Sequence, residues 1–102
     1  MLFRSHLVKI EVEVDRLDQL RAVLATCDVG QGPDVVMLDN FNLGDLRDAV
    51  DMAAGRVVLE ASGGVTLETI RAIAETGVTY VSVGRITQSA PAADIGLDFA
   101  AA

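Results

Sequence analysis

Val57-Val58-Leu59-Glu60-Ala61-Ser62-Gly63-Gly64-Val65-Thr66 is a short apolar run that opens onto a hydroxyl and two glycines, then onto a threonine suited to cap a helix. That order of residue types reads as strand, tight turn and helix. The pattern recurs along the chain. Residues 9–14 carry Glu13 near their end, residues 35–39 finish at Asp39, and residues 80–83 open onto Gly84. Strand starts near Lys9, Val35, Val57 and Thr79 give spacings of 26, 22 and 22 residues, the period of a repeated βα unit. The fold class is therefore α/β, with four parallel βα units. The carboxyl ends of parallel strands share one rim, where ligands bind, so polar groups spread over some seventy residues of sequence converge there.

Each crossover holds a stretch with helical periodicity. Leu17, Leu20, Val23 and Leu24 line the first, with Asp15 placed to cap it. Leu43, Leu46, Ala49, Val50 and Ala53 line the second, with Asn42 as cap and Gly55 as stop. Leu67, Ile70, Ile73 and Ala74 line the third, between Thr66 as cap and Gly77 as stop. Residues 27–33 read as a longer loop. Beyond Gly84 the pattern weakens to a tail with one short element around residues 95–99.

The first strand bears on the kind of sheet. Lys9, Glu11 and Glu13 fall on one face and Ile10, Val12 and Val14 on the other. A central strand covered by helices on both sides is apolar on both, whereas a barrel strand carries helices outside only. The residues fit part of a TIM-like α/β barrel, and equally an edge strand with a solvated face. A closed barrel takes about 250 residues, so four units make an incomplete one with unpaired edges.

Composition narrows the function classes. The chain has 102 residues, room for one domain: residues 1–6 read as an uninformative leader and residues 7–102 as the barrel portion. Apolar residues make up 51 % and aromatics only 4 %, so the core is aliphatic. A net charge of −7 argues against nucleic-acid backbones as partners. The lone Cys27 excludes an internal disulfide and fits a reducing cytoplasm, where it serves as a small buried residue. No apolar run reaches the ~18 residues that span a membrane.

The residues that carry chemistry lie on the rim. Ser62, Gly63 and Gly64 let backbone N–H groups approach an anion, and a following helix end would add partial positive charge. The same residues also make an ordinary βα turn. Gly84 marks a second phosphate-facing turn on the neighbouring strand. Glu13 and Asp39 end consecutive strands and are expected side by side, suited to ribose hydroxyls or to a Mg²⁺ held by a substrate diphosphate. Glu11 and Glu60 lie deeper, as bracing partners for Lys9. His6, the one histidine, has no partner for a triad or a metal site, and no residue of the segment reads as a catalytic acid, base or nucleophile.

The stretches 9–14 (KIEVEV), 36–40 (VMLDN), 59–65 (LEASGGV) and Val83-Gly84 together resemble the carboxyl-terminal part of the quinolinate phosphoribosyltransferase family, and residues 94–99 (DIGLDF) are similar to its closing segment. The resemblance runs from about His6 onward, in order and at matching intervals. It implies transfer of a phosphoribosyl group from phosphoribosyl pyrophosphate to quinolinate, releasing nicotinate mononucleotide, pyrophosphate and CO₂ in a Mg²⁺-dependent step of NAD synthesis. It also implies a homodimer. Carried over by motif, Glu13 and Asp39 would meet the ribose hydroxyls and the Mg²⁺, Ser62, Gly63 and Gly64 the phosphate, and Gly84 the far wall of that pocket. Two departures stand out. The cationic motifs with which the family meets the dicarboxylate substrate precede this region, so the segment alone is expected to be inactive. The turn after Gly84 carries Gln88 near where the family commonly has a histidine. Other readings of the same residues are a different phosphate-binding barrel, such as a thiamine-phosphate-synthase-like fold, or a non-catalytic half-barrel module.

Overall fold

The computed structural model describes residues 9–83 and 88–94. The expected leader, the turn at Gly84 and the element around residues 95–99 lie outside the described residues. In chain order the elements are β1 (Glu11–Val14), α1 (Leu17–Asp28), β2 (Val35–Asp39), α2 (Leu43–Ala53), β3 (Val58–Ser62), α3 (Ile70–Ala74), β4 (Tyr80–Val83) and β5 (Gln88–Pro91). They form one sheet in the order β1-β2-β3-β4-β5. The first four strands are parallel and β5 runs antiparallel to β4, with Tyr80 opposite Pro91 and Val81 opposite Ala90. The sheet is open, as four βα units are too few to close a barrel.

Strand order follows chain order, so three right-handed crossovers lay all three helices on one face of the sheet. That face holds the core. Val14, Val36, Leu38, Leu59, Ala61 and Val81 from the strands meet Leu20 and Leu24 of α1, Leu46, Ala49 and Ala53 of α2, and Ile70 and Ile73 of α3. The strand registers put Glu11 and Glu13, Val35, Met37 and Asp39, Val58, Glu60 and Ser62, and Tyr80 and Ser82 on the opposite face. The charged face of the first strand is thus the helix-free face of a barrel-like sheet.

Local chemistry sets the helix limits. Asn42 caps α2 as expected, its Oδ1 accepting from the Asp45 N–H at 2.8 Å, and Ala54 and Gly55 end it with positive φ. Asp15 does not cap α1. Arg16 holds the cap position without a side-chain bond, and Gln19 Oε1 instead accepts from the Asp15 N–H at 2.8 Å. The glutamine reaches back along the first turn to the Asp15 backbone, while the Asp15 carboxylate lies 3.8 Å from the Arg16 guanidinium. Helix α1 also continues through Cys27 to Asp28, past the expected start of the loop.

Helix α3 is shorter than its periodicity suggests. Thr69, not Thr66, holds the cap position; Thr66 Oγ1 accepts from the Thr69 N–H at 3.3 Å, and the Thr66 N–H donates to Thr69 Oγ1 at 3.0 Å. These side-chain bonds compete with regular helix, which begins only at Ile70. Leu67 accordingly points to solvent, 80 % exposed, rather than joining the apolar stripe.

A further departure is β5, in a stretch that reads as tail. Gln-Ser-Ala-Pro has no apolar alternation, and it becomes a strand because β4 offers it a free edge. Pro91 closes the strand where a missing N–H does no harm. The last parallel strand is therefore covered, and among the described residues only β1 keeps an unpaired edge within the parallel set.

Candidate functional site on the carboxyl-terminal rim

Asp39 and Ser62 end β2 and β3 directly opposite one another. The ladder continues one bond further, the Asn40 N–H donating to the Ser62 carbonyl at 2.8 Å. Gly63 and Gly64 follow with φ of 80° and 66°, a left-handed turn that leaves both residues exposed. The two loops are in close contact there. A Cβ placed on Gly63 would lie 2.8 Å from Asp39 Oδ1 and 3.0 Å from the Asn40 nitrogen. Glycine at this position is what allows the Asp39 carboxylate to lie against the turn. Asn40 itself has φ of 59°, uncommon for a residue with a side chain, although asparagine tolerates it better than most.

A cavity of about 500 Å³ opens beside this junction, lined by Asn40, Phe41, Leu43, Gly63, Gly64 and Thr69 among others. The rim thus joins an acidic acceptor, an open backbone turn and space for a ligand. Asp39 suits hydroxyl groups, and exposed turn N–H groups suit an anion. The helix contribution expected for the turn is absent. Helix α3 starts six residues after Gly64 and has only five residues, so its dipole is too remote and too small to matter.

Glu13 is not side by side with Asp39. It pairs with Met37, one pleat short of the rim, while Val14 pairs with Leu38. Two residues of rise and one strand spacing separate the Glu13 and Asp39 Cα atoms by roughly 8 Å. Both carboxylates are on the helix-free face, Glu13 exposed and Asp39 half-buried, so they flank a space rather than share one. Among the described residues no three His, Cys, Asp or Glu side chains are grouped closely enough to hold a metal ion.

Glu60 lies two residues behind Ser62 on the same face and is 5 % exposed. Its partner is Ser82 of β4 rather than Lys9: the Ser82 hydroxyl donates to Glu60 Oε2 at 2.6 Å. Lys9 is exposed at the far edge of the sheet, beyond β2. Ser82 is the residue that sequence reading missed, although the alternation of Tyr80-Val81-Ser82-Val83 places it on the face of Glu60. Gly84 lies outside the described residues, as does His6.

Arg16 stands at the β1–α1 junction, at the rim end of the first unit, where Asp18 Oδ1 accepts from its Nε–H at 3.0 Å, and Arg21, Arg47 and Arg71 lie on the helices. Arg56, after α2, is held by Asp28 at 2.8 Å and by the carbonyls of Met52 and Ala53, at the opposite end of the sheet. No helix among the described residues is long and apolar enough to cross a membrane.

Comparison with known proteins gives a consistent result. The profile of a family described as "Quinolinate phosphoribosyl transferase, C-terminal domain" matches residues 3–98. A nicotinate-nucleotide pyrophosphorylase [carboxylating] of Mycobacterium leprae is 46 % identical over 91 residues, covering 86 % of this chain and 30 % of that protein. A chloroplastic protein of the same name from Arabidopsis thaliana is 40 % identical over 101 residues, covering 86 % of this chain and 28 % of its own length. Among solved structures, the nicotinate-nucleotide pyrophosphorylase of Francisella tularensis superposes with a TM-score of 0.65 at 48 % identity, over 76 % of this chain and 26 % of that one. The chain spans about three-tenths of the length of the curated relatives it matches.

Proposed function

The chain belongs to the quinolinate phosphoribosyl transferase family, matching its C-terminal domain, and on that premise we propose that it supplies the phosphoribosyl-binding rim of a quinolinate phosphoribosyltransferase. In that reaction the ring nitrogen of quinolinate attacks C1 of phosphoribosyl pyrophosphate. The C1–oxygen bond breaks with its electron pair leaving on pyrophosphate, and the bond from ring C2 to its carboxylate then breaks, releasing CO₂ while C2 takes up a proton to give nicotinate mononucleotide.

The observation that carries the reading is the contact between Asp39 and the Gly63 turn. It supports the reading because a carboxylate and an open backbone turn lie within one sugar-phosphate length of each other. Asp39 accepts from a ribose hydroxyl, Glu13 approaches from one pleat behind, and Ser62, Gly63 and Gly64 bind the 5-phosphate through backbone N–H groups. The family resemblance assigns Gly84, which lies outside the described residues, to the same pocket. Two separated carboxylates are too few for a resident metal, yet they fit an ion that arrives on the substrate diphosphate. Mg²⁺ held there by Glu13 and Asp39 would supply charge neutralisation to the leaving pyrophosphate. The residues of this chain hold the sugar and its phosphate in place while that happens.

Recognition of the quinolinate carboxylates we assign to the cationic motifs that precede this region in the family; among the described arginines, Arg16, Arg56 and Arg71 are engaged by Asp18, Asp28 and Glu75. The isolated chain should therefore show no turnover of quinolinate with phosphoribosyl pyrophosphate. Homodimer assembly belongs to the same proposal, supported by Ile10, half exposed at the open edge of β1 over an apolar hollow of about 330 Å³. A cytoplasmic setting is proposed with it, in keeping with Cys27 standing alone.

The test is a chimera in which this chain replaces the corresponding carboxyl-terminal segment of the Mycobacterium leprae relative. Nicotinate mononucleotide formation is expected, with Asp39→Asn reducing it about a hundredfold or more through loss of sugar positioning. A folded, inactive chimera would refute the proposal, as would full activity of the Asp39→Asn form.

A further inference from the structure

The β2–α2 loop contains a residue that the reading above leaves without a role. Asn40 is exposed, so it is not there to fill the core, and its φ of 59° is one of only two positive values outside glycine among the described residues. The other, Ala54, ends a helix. No helix end explains Asn40. Its backbone N–H is bonded to the Ser62 carbonyl at 2.8 Å, which ties the end of β2 to the first residue of the glycine turn. Its nitrogen and Cα lie 3.0 and 3.3 Å from where a Gly63 Cβ would stand. Its side-chain oxygen lies 3.4 Å from the corresponding point on Gly64. The residue therefore lies against the side of both glycines that a side chain would occupy, by backbone at one and by carboxamide at the other, and it lines the 500 Å³ cavity.

We propose that Asn40 is a positioning residue that fixes the Ser62-Gly63-Gly64 turn relative to Asp39, and that its carboxamide donates to the phosphate bound there. The inference rests on the phosphate-turn reading. Two properties are needed at this position, and asparagine supplies both. It accepts a left-handed backbone at modest cost, and it carries a neutral N–H donor. The oxygen and nitrogen of the carboxamide exchange places by a simple flip, so the NH₂ group reaches the side of Gly64. Aspartate would accept the same backbone but would bring a like charge to the anion. Glycine would accept it with no donor at all.

Those two substitutions make the test. Inorganic phosphate is titrated into the 102-residue chain and its Asn40→Gly and Asn40→Asp variants, following the amide shifts of Gly63 and Gly64. Thermal melts run alongside. Asn40→Gly should keep its melting midpoint, because glycine relieves the backbone, while its phosphate Kd rises about tenfold from the lost donor. Asn40→Asp should lose more than that, since a carboxylate repels the ligand. A purely structural role predicts the opposite for Asn40→Gly: unchanged affinity in a folded chain, a result that would overturn the inference and leave the turn reading intact. Should the glycine variant fail to fold, parent-like affinity in the nearly isosteric Asn40→Asp would overturn it equally. If the parent shows no shifts at Gly63 or Gly64, the phosphate turn itself is refuted and the inference falls with it.

Discussion

Replacing Gly63 by alanine should be far more damaging than replacing Gly64, although the two are adjacent and both left-handed. The conformational penalty is common to both: φ of 80° and 66° costs about 1–2 kcal/mol for an L-residue. The surroundings differ. At Gly64 the nearest atom to a new methyl is the Asn40 side-chain oxygen at 3.4 Å, which can swing aside. At Gly63 the methyl meets Asp39 Oδ1 at 2.8 Å and the Asn40 backbone nitrogen at 3.0 Å. The second of these is fixed by its bond to the Ser62 carbonyl. Such overpacking adds about 1–3 kcal/mol. Gly63→Ala should thus lose roughly 2–5 kcal/mol, the sum of both contributions, and Gly64→Ala about 1–2 kcal/mol, the conformational one alone. Urea unfolding followed by circular dichroism reads the difference through the shift in midpoint at constant slope. Gly30→Ala supplies a control, with φ of 76° and nothing within 4 Å of the added atom. If Gly63→Ala matches Gly30→Ala, the two rim loops are not packed as described. The proposed unit of Asp39 with the glycine turn would then lose its structural basis.

Ser82→Ala removes the hydroxyl that donates to the buried Glu60 carboxylate at 2.6 Å. It should destabilise the fold by about 1–3 kcal/mol in the same unfolding assay, and an effect within error would show that Glu60 does not depend on Ser82. A separate expectation concerns pH. Arg16 hydrogen-bonds Asp18 and holds its carboxyl below the ordinary aspartate range. A depressed folded-state pKa means that this contribution is present above the unfolded pKa and is lost as pH falls through the folded one. In Arg16→Gln the Asp18 titration, followed by side-chain carboxyl NMR shifts, should move up toward the usual value. An unchanged midpoint would show that the guanidinium is not its cause.

Much of this protein is written in its local sequence. The βα period, the limits of α2 and the alternation of charged and apolar residues in β1 depend on neighbours two to four positions apart, so Asn42, Gly55 and the Glu11–Val14 pattern could be read directly. The rim positions of Asp39, Ser62, Gly63 and Gly64 follow from the rule that parallel strands end together. Register is different, because it is a relation between strands. Only the assembled sheet sets Glu13 against Met37 instead of Asp39, and Glu60 beside Ser82 rather than serving Lys9. The same holds for β5, whose Gln-Ser-Ala-Pro has no strand character of its own and takes its conformation from the edge of β4. It holds again for Asn40, an ordinary loop residue in sequence, whose left-handed backbone acquires meaning only where it crosses the turn of the next strand. Periodicity and capping are short-range effects that a sequence carries within itself, whereas hydrogen-bond register and close approach between loops arise when distant segments meet.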